Sequence, residues 1–355
     1  MTCYQPASRE TPVLGGILGL LAAATFAFNN AAARRGVLHG SVAQAIAISV
    51  PLGVPMFALA ALAAGSLAVV TEFSGEALLY LAAAGIVHFV WGRYCNYRAT
   101  KAMGANLVGP VQQVSLILTL GLAIWVLGES FTPLRALGIV LVVLGPMLTL
   151  PRGGTSARPR APEPGIATAE TTPARPANPP VPAFQANYAE GYLWSLLSAL
   201  GYGVSPILVT LGLQGKGLSG ALAGGVVSYG AATLVTGLVL LWPGQIRHLF
   251  SLRRDAAKWF TLSGVLVCLS QIFLYMGYAV APVSVVSPIQ RLSIVFRIYA
   301  GWLLNREHEV FGGAVILGTV VSLIGAIALS VSTETVLAYV PLPESIAAIA
   351  RWQWP

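Results

Sequence analysis

Charge is scarce in this sequence: Asp, Glu, Lys and Arg make up only 9% of its 355 residues, while 56% are hydrophobic. So little charge, with a mean hydropathy of +0.76, excludes an ordinary water-soluble globular protein. Cysteine is rarer still. Cys3, Cys95 and Cys268 are too few, and too hydrophobically placed, for a disulfide framework or a zinc site. The chain also lacks an HExxH, a nucleophile elbow, a P-loop, a His/Cys metal spacing and a carboxylate pair. That argues against an enzyme, and no cofactor and no metal are expected. The formal charge of +8 is not gathered into a basic stripe interleaved with aromatics, so no nucleic-acid partner is expected. No basic region precedes the first apolar run and no cleavage site follows it, so that run reads as a retained span.

What is present is a series of apolar runs, each about the ~20 residues needed to cross a bilayer. Cutting at charges, Pro and Gly clusters places spans near 11–33, 43–70, 77–98, 102–127, 133–150, 191–213, 218–242, 257–279, 281–304 and 311–332. Residues 151–190 are rich in Pro and Ala with almost nothing to bury, and read as a disordered tether. The expected organisation is therefore a first five-helix repeat over 1–150, the linker over 151–190, a second repeat over 191–333 and an interfacial tail over 334–355. In that tail Trp352 and Trp354 suit a membrane interface.

The two halves are self-similar. Residues 109–129, GPVQQVSLILTLGLAIWVLGE, align without a gap on 287–307, SPIQRLSIVFRIYAGWLLNRE. The alignment matches Pro110 with Pro288, Gln112 with Gln290, Ser115 with Ser293 and Glu129 with Glu307. Gly138 and Gly145 recur as Gly318 and Gly325 after a two-residue insertion, and Tyr97 and Tyr275 stand at equal distances from their prolines. An odd number of spans per repeat forces the second copy to enter the membrane upside down. The expected fold is thus an all-α polytopic membrane protein, with about ten transmembrane helices arranged as two inverted five-helix repeats around a midplane site.

The pattern from Tyr97 through Pro110, Gln112 and Leu127-Gly128-Glu129 to Gly138 and Gly145, with its degenerate copy from Tyr275 to Gly325, resembles the EamA-type half-domain of the drug/metabolite transporter superfamily. The second copy departs from it at Leu304-Asn305-Arg306-Glu307. The resemblance implies a permease, in a superfamily whose members carry amino acids, nucleotide sugars, cationic drugs and other metabolites. It leaves the substrate open.

Loop charge suggests an orientation. Connections after odd-numbered spans hold fourteen Lys and Arg: Arg34, Arg35, Arg93, Arg98, Lys101, Arg152, Arg158, Arg160, Arg175, Arg247, Arg253, Arg254, Lys258 and Arg306. The other side holds four, Arg9, Arg135, Lys216 and Arg351. By the positive-inside rule both termini then face outward from the cytoplasmic membrane.

Two arginines fall inside the ninth span, at Arg291 and Arg297. At 100° per residue Gln290, Ser293 and Arg297 share one helical face with Arg291 beside it, and Gln112, Ser115 and Thr119 form the matching stripe with Gln113 in the place of Arg291. Intramembrane charge is costly and marks a pathway unless the side chains snorkel or pair with carbonyls. No Asp or Glu lies within a span, so an anionic or zwitterionic metabolite is the partner that would complete these cations. The candidate substrate-binding residues are Asn29, Gln112, Gln113, Gln271, Tyr275, Gln290, Arg291 and Arg297.

Other polar groups have plainer readings. His88 reads as a satisfied core histidine, and Trp91, Arg93, Tyr97 and Arg98 as an interfacial anchor. Glu129 and Glu307 read as turn or helix-cap groups, while Ser205 and Pro206 suit a helix break. Pro110, Pro282 and Pro288 suit bends in helices that rock. The expected function is a secondary transporter working by alternating access, with a small molecule and the lipid bilayer as partners and a homodimer left open. A cationic drug exporter of the same fold and a non-transporting membrane scaffold are the alternatives.

Overall fold

The computed structural model describes residues 12–37, 39–103, 108, 111–112, 114–129, 132–149, 187–293, 295–296, 299–300, 313–330, 333, 336–337 and 343–353. Gln113, Arg297, Pro110, Glu307 and most of the linker lie outside these residues. All the regular structure described is helical. A bilayer offers the backbone no water, so every N–H and C=O must be satisfied within the segment, and an apolar run becomes a helix.

The first half runs as α1 (Pro12–Val37), α2 (Val42–Ser49), α3 (Gly53–Ala63), α4 (Gly75–Gly85), α5 (Arg93–Met103), α6 (Val114–Leu127) and α7 (Pro133–Thr149). The second runs as α8 (Tyr188–Leu213), α9 (Gly217–Leu240), α10 (Gln245–Phe250), α11 (Arg254–Val280), α12 (Val283–Gln290), α13 (Gly313–Ser330) and α14 (Glu344–Arg351). Among the described residues six helical stretches are long and apolar enough to cross a membrane: Val13–Val37, Val42–Ala63, Gly75–Ala102, Tyr188–Leu213, Gly217–Leu240 and Arg254–Val280. Val114–Leu127 and Pro133–Leu144 are shorter apolar helices.

Local chemistry sets several starts. Ser41 forms a full capping box with Gln44 on α2. The Ser74 hydroxyl accepts from the Ala77 N–H, and the Asn187 side chain accepts from the Glu190 N–H.

Contacts along the helices fix their directions. The Ser270 hydroxyl of α11 donates to the Ala22 carbonyl and the Ser263 hydroxyl to Asn29, while Gly36 meets the Phe260 ring, so α1 and α11 are antiparallel. In the same way Gly212 meets Leu81, Ser205 meets His88 and Ser198 meets Gly92, so α8 is antiparallel to the α4–α5 stretch. Gly53 abuts Tyr229 and Gly225 abuts Phe57, which sets α3 against α9; Leu81 with Gly224 and Gly85 with Ser228 set α4 alongside α9. Gly264 with Ser49 and Phe57 with Tyr275 set α11 alongside the α2–α3 stretch. Taken together, α1 opposes α8, α2–α3 opposes α9, and α4–α5 opposes α11. A Cβ on Gly138 or Gly325 would press on the other's carbonyl oxygen, at 3.0 and 2.8 Å, where α7 and α13 cross antiparallel.

The packing inverts the pattern of a soluble core. Large apolar side chains such as Trp125, Leu234, Leu79 and Ile117 are exposed on the outside, where lipid is the solvent. Small and hydroxyl residues, among them Ala22, Ala23, Ser195, Ser198, Ser228 and Ala232, are buried between helices. With no hydrophobic drive between helices in lipid, close backbone approach and interhelical hydrogen bonds hold the bundle.

Candidate functional site

Between α4 and α5 the chain winds as a π-helix over Ile86–Gly92, and the Arg93 N–H donates to the His88 carbonyl five residues back. Uninterrupted α-helix would rotate residues five apart by about 140°. The π-turn instead stacks His88 and Arg93 on one face, a distortion that recurs at functional sites. Glycines at its two ends let neighbours press in: a Cβ on Gly85 would lie 2.0 Å from the Ser228 carbonyl oxygen, and one on Gly92 2.9 Å from the Tyr202 ring.

That face enters a polar cluster between the two halves. His88 Nδ1 lies 3.0 Å from Ser205 Oγ and its Nε2 lies 3.3 Å from Gln271 Nε2. The Gln271 amide nitrogen can only donate, so Nε2 is the acceptor and the imidazole proton sits on Nδ1, directed at Ser205. The His88 ring is 4.6 Å from the Tyr202 ring. Arg93 is 2% exposed and donates to Ser49 Oγ and to the Tyr229 hydroxyl, each at 3.3 Å. Its guanidinium lies 5.2 Å from the centre of the Phe89 ring, which itself stacks on Tyr229 at 3.9 Å.

The second cation arrives from the other half. Helix α12 ends at Arg291, whose N–H caps it on Pro288 and Ile289. The Arg291 Nε is buried without a hydrogen-bond partner among the described residues. The charges of Arg93 and Arg291 both act on His88, and both act on Tyr202. Among the described residues no carboxylate pairs with either. Glu129 is buried at 4% exposure, but its two oxygens accept the Val283 and Ser284 N–H groups at 2.8 and 2.9 Å. The ion pairs Arg98–Glu190 and Lys216–Glu72 involve other cations, at partly exposed positions. The cluster is thus a donor-rich, cationic centre that suits a negatively charged group.

Residues 13–150 match the EamA-like transporter family. Over these residues the chain is similar to that family. The match indicates a membrane transporter of the drug/metabolite type, in a family of transporters rather than enzymes. No curated protein matches the chain. A solved crystal structure whose name states no function is similar at a TM-score of 0.59 and 15% identity, covering 94% of this chain and 99% of that chain. At that identity the likeness is one of fold, and it extends across both halves.

The first half supplies His88, Arg93 and Gln112 to the interior. Gln112 donates to Asn96 Oδ1 at 2.8 Å and to Ser198 Oγ at 3.2 Å, bridging to α8. Asn29 is 2% exposed and holds Ser263 at 2.6 Å, tying α1 to α11. Gln271 joins the His88 cluster, and Tyr275, one turn on, lies edge-on to Phe57. Gln290 is buried at the end of α12.

Three expectations are corrected. The stripe through Gln290, Ser293 and Arg297 assumed one continuous helix over 281–304, but a turn at Arg291–Leu292 interrupts it. Arg93 and Tyr97 are not interfacial anchors: both are buried, at 2% and 4% exposure. Arg98 and Trp91 do lie near the surface, Arg98 on Glu190 and Trp91 on the Leu197 carbonyl. Pro206 does not break its helix, since α8 continues through it and Ser205 turns its hydroxyl to His88. His88 is a satisfied interior histidine, as its sequence setting suggests, yet Arg93 beside it carries no signal that a regular helical wheel could detect.

Proposed function

We propose that the chain is a gradient-driven secondary transporter that moves a small anionic or zwitterionic metabolite by alternating access between the two halves. The observation that carries this reading is a pair of interior cations from opposite halves, the buried Arg93 and Arg291 with its Nε buried and unpartnered, with no carboxylate paired to either among the described residues. A buried guanidinium without a counter-charge is expensive, and a carboxylate or phosphate on the cargo would satisfy it bidentately. The opposed directions of paired helices supply two arrangements related by symmetry, as alternating access requires. Ten spans, with the connections after odd spans facing the cytoplasm and both termini outside, complete this proposal for a multi-pass protein of the cytoplasmic membrane.

The test is thermal-shift screening of the purified protein against anionic, zwitterionic and cationic metabolites, followed by uptake into proteoliposomes. A ligand that binds the folded state raises its stability. Anions or zwitterions are expected to give the largest shifts, with Arg291→Gln reducing them and abolishing uptake. Equal shifts in wild type and Arg291→Gln, or a preference for cations, would overturn the assignment.

A further inference from the structure

A second donor-rich pocket adjoins the central cluster, between the ends of α1 and α5; its Asn96 and Tyr97 also meet Tyr202 and Arg93 of that cluster. Asn30 and Arg34, one turn apart, face it from α1; Asn96, Tyr97 and Thr100 face it from α5; Val108 helps close it. Among the described residues no carboxylate lines it. The Asn30 Nδ2 is buried and has no hydrogen-bond partner among the described residues. The Asn96 Oδ1 is already taken by Gln112. Arg34 lines the pocket and is exposed. A buried amide donor left without an acceptor is costly, and a guanidinium one helical turn away repels cations. The group that satisfies both is an oxyanion.

We infer that this pocket is an oxyanion-binding subsite that takes a carboxylate or a phosphate group. Resting on the transporter reading above, it is the docking point for the anionic end of the cargo at this face of the membrane. From there Asn96 and its bond to Gln112 lead inward. The phosphate of a lipid headgroup has the same chemistry, so the source must be separated by experiment.

The probes are inorganic phosphate and acetate, titrated against the full chain in nanodiscs of zwitterionic lipid, with thermal unfolding as the readout. A second arm replaces the probe with nanodiscs containing anionic phospholipid. Both arms are run in wild type and in an Arg291→Gln background, which removes one of the two central cations, so that dependence on Arg34 and Asn30 identifies this pocket. Phosphate is expected to stabilise the Arg291→Gln protein, and adding Arg34→Gln to weaken the apparent Kd about tenfold or more, with Asn30→Ala weakening it less. A response confined to anionic lipid and lost with Arg34→Gln would keep the oxyanion subsite and overturn its role in cargo docking. Binding unaffected by both Arg34→Gln and Asn30→Ala, or absent from both arms, would overturn the subsite itself. Loss of uptake in Arg291→Gln alone bears only on the central site, so the two readings fail separately.

Discussion

Glu129 offers the sharpest test of how the halves are joined. Its carboxylate, 4% exposed, accepts two backbone N–H groups in the first turn of α12, from Val283 at 2.8 Å and Ser284 at 2.9 Å. Those donors are among the four that any helix leaves unsatisfied at its start, and the negative charge also faces the positive end of the helix dipole. Glu129→Ala removes both bonds and strands both donors. At roughly 1.5–3 kcal/mol per bond to a charged group, the loss is about 3–6 kcal/mol. Glu129→Gln keeps one acceptor but points an NH2 at the other N–H, so about half that loss is expected. Equilibrium unfolding of the purified protein, followed by tryptophan fluorescence, measures the series. Wild type should be most stable, Glu129→Gln intermediate and Glu129→Ala least. A Glu129→Ala protein within about 0.5 kcal/mol of wild type, the scatter of neutral surface changes, would refute the reasoning.

Two further predictions concern packing and charge. Gly85→Ala places a Cβ 2.0 Å from the Ser228 carbonyl oxygen, a backbone atom that cannot swing aside; a loss of about 1–3 kcal/mol is expected. Gly75→Ala, which meets nothing within 4 Å, serves as the control in the same unfolding assay, and an equal loss at both positions would contradict the close approach. The Arg98–Glu190 pair is short at 2.6 Å, but its side chains are 39% and 36% exposed. Solvent screening then limits Arg98→Gln to about 0–1 kcal/mol, shrinking with added salt, and a larger salt-independent loss would show the pair to be buried in the working protein.

Composition and run length alone determined the class of this protein, because only helices satisfy their backbone in lipid and only long apolar runs span it. The duplication around Pro110 and Pro288 was equally legible, since matched spacing survives without any knowledge of contacts. Glu129 was legible as a capping group, but not the helix it caps, which lies 154 residues on in the other half. Arg93 was misread because a π-turn shifts helical phase without leaving a residue signature, and the turn at Arg291–Leu292 that interrupts the helix after Gln290 was equally invisible in residue spacing. Residue spacing reports a face only while the helix is regular. Where the backbone departs from regularity, packing against Ser228, Tyr202 and the opposite half decides which side chains meet, and that information resides in the tertiary structure alone.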